Sequence, residues 1–141
     1  MELGSGGLTE PKLGLHQVAA TWDAAANGWN IHWQVENLGR ERLSIESVWM
    51  PHGQFKSAEK RFSPALALPP GESSPIATVV HCQEPAGLVT ENAFVIFHCR
   101  WDGQDWRVFV RLRVTLQADG EPQTATELIT TQKVGFSGLS E

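Results

Sequence analysis

A chain of 141 residues with a net charge of −5 has the size of one ordinary domain, and its charges sit at scattered positions without an acidic or basic tail. Scaling laws for 15.5 kDa give a folded surface of ~7,000 Å² against ~22,000 Å² unfolded, enough burial for a full core without disulfides. Global attraction to nucleic acid or to an anionic membrane is not expected, and no apolar run approaches the ~18 residues of a membrane-spanning helix.

Residues 1–14 are glycine-rich and aperiodic and read as a flexible lead-in, with neither the basic nor the apolar region of a secretory signal. A cytoplasmic protein is the default expectation. A single domain is expected over residues 15–134, followed by a tail at 135–141. Residues 18–35, VAATWDAAANGWNIHWQV, read as a hairpin, because Asn27-Gly28 suits a two-residue turn with positive φ at both centres. That pivot pairs Trp22 with Trp33, Ala24 with Ile31 and Ala20 with Val35 on one face, together with Val18 and Trp29. Asp23 then faces His32, and Thr21 faces Gln34, on the other. The run Ala24 to Ala26 favours helix by propensity, but the turn chemistry outweighs it.

Leu43 to Met50 is expected to be a strand ended by Pro51. The polar stretch from His52 to Ser63 offers Phe55 and Phe62 as anchors. LALPPGESSPIATVVHC, residues 66–82, gives two strands joined by a Pro70-Gly71 turn of type II. Residues 93–116, AFVIFHCRWDGQDWRVFVRLRVTL, form the clearest hairpin, turning at Asp102-Gly103 or at Gly103-Gln104. Its second strand alternates: Trp106, Val108, Val110, Leu112, Val114 and Leu116 share one face, while Arg107, Phe109, Arg111 and Arg113 share the other. One more strand is expected within Thr124 to Val134.

Seven or eight short strands with turns between them predict an all-β protein, an antiparallel sandwich of the immunoglobulin-like kind. Its expected core is Trp22, Trp33, Trp101, Trp106, Phe97, Val108, Val110 and Leu112. The stretch WQVENLG (Trp33 to Gly39), followed by a strand and then by LALPPGES (Leu66 to Ser73), resembles bacterial immunoglobulin-like modules of the cell-adhesion-related type often written CARDB. These modules share a strand ending in Asn-x-Gly and a later Pro-Gly-Glu turn. The resemblance spans roughly residues 14–116. It implies a binding or spacer module and carries over no catalytic residue.

Two His-Cys dipeptides, His81-Cys82 and His98-Cys99, invite a metal or disulfide reading. Neighbours on a strand point to opposite faces, so each pair offers one ligand at most, whereas structural zinc needs four. No metal and no cofactor are expected. A disulfide between Cys82 and Cys99 is the more plausible alternative, and two buried thiols are the simplest reading. Asp23 opposite His32 resembles half of an acid–base pair, with Thr21 and Ser44 as available hydroxyls, but an exposed cross-strand ion pair accounts for it. A non-enzyme is therefore expected.

The arginine-rich outer face of the final hairpin carries the functional expectation. FVIF (Phe94 to Phe97) is apolar on both faces, and such a strand is normally covered on both sides. Phe94, Ile96 and Phe109, mixed with Arg107, Arg111 and Arg113, have the composition of an interface core. Its partner would be another protein or a second copy of the chain. The competing reading is internal: residues Thr124 to Val134 fold back over this face. Asp105 and nearby glutamates would balance the arginines, and Arg100 faces Asp105 if Asp102-Gly103 is the turn. The expected function is a non-catalytic protein-interaction module, with self-association as the simplest form of the contact. The alternative is a carbohydrate or small-ligand binding module with Trp49 or Trp29 as a stacking platform.

Overall fold

The computed structural model describes residues 10–134; the proposed segments within 1–9 and 135–141 lie outside the described residues. Eight strands follow one another: β1 (Leu13–Asp23), β2 (Gly28–Asn37), β3 (Leu43–His52), β4 (Phe55–Leu68), β5 (Ser73–Val80), β6 (Val89–Trp101), β7 (Gln104–Leu116) and β8 (Pro122–Lys133). They form an antiparallel sandwich. One sheet has the order β1-β2-β5 and the other β4-β3-β6-β7-β8. Its core includes Trp33, Phe97, Phe55, Ile31, Leu43, Ile45, Met50, Val108, Val110 and Leu112, all essentially inaccessible to water. Trp101 and Trp106 join them as an edge-to-face pair 5.8 Å apart. Among the described residues, no helix is long and apolar enough to cross a membrane.

The first hairpin departs from the expected register. Four residues, Ala24 to Asn27, connect β1 and β2, so Trp22 pairs with Trp29 and Asp23 with Gly28. The Asp23 carboxylate accepts from Ala26 N, and Asn27 N donates to Ala24 O, which closes the loop locally. Asn27 takes a φ of 53°, but Gly28 is already part of the strand. Its missing side chain serves another purpose: a Cβ there would lie 2.9 Å from Val80 O on the neighbouring β5. The shift of four residues is even, so Trp22 keeps the face of Trp29 and Trp33. It lies at the end of the sandwich, however, and stays 49% exposed, so it is not a core residue. A bulge between Gln17 and Ala19 turns Val18 out to 62% exposure, against expectation. The strand also begins earlier than predicted, since Leu13 and Leu15 are buried.

Pro51 does not end β3. It pairs with Lys56 of β4 beyond the last β3–β6 pair, Trp49 with Ile96, where β3 has no second neighbour to receive an N–H. The polar stretch after it is a strand, and Phe55 is fully buried. The Pro70-Gly71 turn is as expected, with Gly71 at φ 81° and Glu72 N donating to Pro69 O at 3.0 Å. It carries the chain from one sheet to the other.

Both sheet junctions are stitched. On one side the Gln17 side chain donates to Pro122 O and accepts from Thr124 N, while Thr126 Oγ1 donates to Leu15 O. On the other, Lys56 and His81 exchange two backbone hydrogen bonds, and Lys60 Nζ donates to Ala77 O. Backbone groups engaged in this way do not invite an added strand.

Candidate functional site: the outer face of the five-stranded sheet

The Asp102-Gly103 turn has φ values of 53° and 73°, the signature of a two-residue turn whose twist suits antiparallel strands. It sets Arg100 opposite Asp105, with an ion pair at 3.1 Å, as the first of the two sequence registers requires. From there the outward side chains of four strands fall into rows. Trp49, Ile96, Phe109 and Thr130 form one row across β3, β6, β7 and β8. Phe94, Arg111 and Leu128 form the next, and His98, Arg107 and Gln132 the row on the other side.

β8 does not cover this face. It pairs with β7 continuously from Leu116–Pro122 to Trp106–Lys133, apart from one bulge, and extends the sheet sideways. The tight turn before it, with Gly120 N donating to Gln117 O, returns the chain directly alongside β7. The internal cover is thereby ruled out for the described residues. Ile129 turns inward opposite Val110, and Leu128 remains 48% exposed beside Arg111.

Ile96 is buried although no second layer of described residues lies over it, being flanked in its row by Trp49 and Phe109. Phe94, Trp49 and Phe109 are half-buried. The arginines divide by their partners. Arg113 is neutralised by Glu91 at 3.3 Å and Glu127 at 2.8 Å, and Arg100 by Asp105, which also lies 3.5 Å from His98. Arg107 has no carboxylate partner among the described residues; its guanidinium sits 5.8 Å from the Trp49 ring centroid, a cation–π contact. Arg111 has no carboxylate partner either, and its buried Nε lacks an acceptor. The face is therefore an apolar row with two uncompensated positive charges beside it. The sequence signal for Trp49 on this face is its alternation with Val48 and Met50, whose side chains are fully buried. Leu128, expected in the cover, stands opposite Arg111 at the border of the face instead.

The remaining candidates come apart. Cys99 lies in the core opposite Trp106, while His98 points outward opposite Arg107. His81 contacts Asn27 O through Nδ1, and Cys82 is buried next to it. Both thiols are free, with no bond between them. Burial, with Glu46 nearby, pushes the Cys99 thiol up to about 12, and burial, with Glu84 nearby, pushes Cys82 up to about 11. Thiols of that kind are inert near neutral pH. No group of three or more His, Cys, Asp or Glu side chains among the described residues is placed to hold a metal. Asp23 and His32 are not paired, since His32 stands opposite Ala19 and Ala77. Neither a family model nor a curated protein matches the chain.

Proposed function

We propose that this chain is a non-catalytic protein-interaction module with an immunoglobulin-like framework, and that it docks an acidic protein segment on the outer face of the five-stranded sheet. The observation that carries this reading is the Trp49–Ile96–Phe109 row beside Arg107 and Arg111, which have no carboxylate partner among the described residues. Aromatic residues and arginine are the types that interface cores enrich. The framework is supported by the strand order. β1, β2 and β5 match strands A, B and E of an immunoglobulin sandwich, and β4, β3, β6 and β7 match C′, C, F and G, with β8 added at the edge.

A carboxylate-bearing partner fits better than a second copy of the same face. A two-fold contact would bring Arg107 and Arg111 of one copy towards those of the other, and like charges brought together cost energy. A random peptide library, panned on the wild-type protein and counter-selected on a Phe109→Glu/Arg111→Glu variant, tests the reading. Enriched peptides should place Asp or Glu beside an aromatic or aliphatic anchor. Their binding should weaken with salt, fail on the double variant and survive Arg61→Glu, a change at an exposed arginine on β4. Peptides without acidic residues, or equal binding to the double variant, would overturn the proposal. So would sedimentation showing a dimer that Phe109→Glu converts to a folded monomer, which would assign the face to self-association.

A further inference from the structure

A second aromatic surface lies at one end of the sandwich, and its charge is opposite to that of the outer face. Trp22 and Trp29 pair directly across β1 and β2, with ring centroids 5.5 Å apart and planes at 71°. They bound a cleft of about 510 Å³, within the ~300–1,000 Å³ common for small-ligand sites. Cys82, Gln83 and Glu84, which follow β5, form another wall, and Asp119 and Gly120 of the β7–β8 turn complete it. Gly120, at φ 89°, lies close against Trp29: a Cβ added there would be 4.0 Å from Trp29 Cζ2. Two separate segments thus converge on the two indoles of the first hairpin.

The polar groups of the cleft carry one sign. Glu84 and Asp119 line it, and no basic side chain among the described residues does. Asp119 accepts a hydrogen bond from Glu121 N, which leaves its charge in place, and neither carboxylate has an ion-pair partner among the described residues. The raised thiol of Cys82 remains protonated near neutral pH, so the wall it provides is uncharged. Trp29 is nearly buried, but half of the Trp22 surface stays open to solvent. Packing alone does not require that exposed ring. Two indoles and two carboxylates lining one cleft match the chemistry of a site for an alkylated ammonium group. The ring faces attract the cation and the carboxylates balance its charge, while the methyl groups lose little on leaving water.

We infer that the Trp22–Trp29 cleft binds a small organic cation of the methylammonium class, with Trp22 and Trp29 as the aromatic walls and Glu84 and Asp119 as the counter-charges. This site is separate from the peptide-docking face, and substitutions at Phe109 and Arg111 should leave it intact.

The test is a titration with tetramethylammonium chloride, followed by tryptophan fluorescence and by amide chemical shifts, against sodium chloride at equal ionic strength. Saturable changes should centre on Trp22, Trp29, Glu84 and Gly120. Affinity should fall about tenfold or more in Trp22→Ala, and also in Glu84→Gln/Asp119→Asn. The second variant keeps both indoles, so it separates loss of charge from loss of the wall. The neutral isostere tert-butanol should bind more weakly than the cation. Equal binding of the isostere would reduce the cleft to an apolar recess and overturn the inference. Binding of methyl glucoside without tetramethylammonium would do so in favour of a sugar site. A response unchanged in Trp22→Ala would place the effect elsewhere.

Discussion

Asn37 joins the two motifs that are distant in sequence, and removing its side chain should be among the costliest polar substitutions in the protein. The residue is 1% exposed. Its Nδ2 donates to Glu41 O and to Leu68 O, both at 2.8 Å, and its Oδ1 accepts from Gly39 N at 2.9 Å. Its backbone also bonds Glu72 O and Gly71 N, so the Asn-Leu-Gly turn is tied to the Pro-Pro-Gly-Glu turn. Asn37→Ala removes three hydrogen bonds worth ~1 kcal/mol each and strands at least the Leu68 carbonyl out of water, for a loss of ~2–4 kcal/mol. That is a large share of the ~5–15 kcal/mol of a typical domain. Urea unfolding should show a lower midpoint at unchanged slope. Asn37→Asp keeps the acceptor for Gly39 but turns a carboxylate towards two carbonyls in a buried site. The folded state then favours the protonated acid and raises its pKa above the ~3.9 of the unfolded chain. The folded state holds more protons, so stability falls as pH rises from ~4 towards neutrality, and the Asp variant should lie closer to wild type near pH 4 than at pH 7. A loss below ~1 kcal/mol in Asn37→Ala would refute the reasoning, because three satisfied groups cannot then be serving a buried junction.

Phe97→Ala and Trp33→Ala should each cost ~3–5 kcal/mol in urea unfolding, and Trp22→Ala only ~1–2 kcal/mol, because half of that ring is already in water. Gly103→Ala, with nothing within 4 Å of the new Cβ, should cost ~1–2 kcal/mol through backbone strain at φ 73°, and Gly103→Asn should recover part of it. Gly28→Ala should cost ~1–3 kcal/mol by collision with Val80 O, a loss that Asn at that position cannot relieve. The folded thiols titrate near 11 and 12 against an ordinary value of 9.0, so their contribution is present below pH 9 and is lost as pH climbs through that range. Stability measured from pH 9 to 11 should therefore fall less steeply in a Cys82→Ala/Cys99→Ala variant, and native Cys99 should resist alkylation at pH 8 until the protein unfolds.

Alternation alone determined the faces of the final hairpin. A side-chain period of two leaves one way to place Trp106, Val108, Val110, Leu112, Val114 and Leu116 together, and Asp102-Gly103 has few turns open to it. The Pro70-Gly71 turn was legible for the same local reason, as was the sandwich class. The first hairpin was not, because Asn27-Gly28 carries the same signal whether the glycine supplies a positive φ or makes room for a neighbour. Only the approach of β5 distinguishes the two. The bulge at Val18, the start of β1 at Leu13 and the passage of β3 through Pro51 depended in the same way on what lay alongside each strand. The outer face of the five-stranded sheet was half legible: parity put Phe94, Ile96, Arg107, Phe109 and Arg111 on one side, but whether β8 covered that side or lengthened the sheet is a question of long-range pairing. Arg113 finds its carboxylates 14 and 22 residues away, on β8 and at the start of β6, and Trp22 and Trp29 share a cleft with Glu84 and Asp119, which lie 55 to 97 residues from them; both pairings depended on the tertiary structure. Local sequence sets turn geometry and the direction in which a side chain points, while its neighbours across the sheets are chosen by the packing of the whole chain.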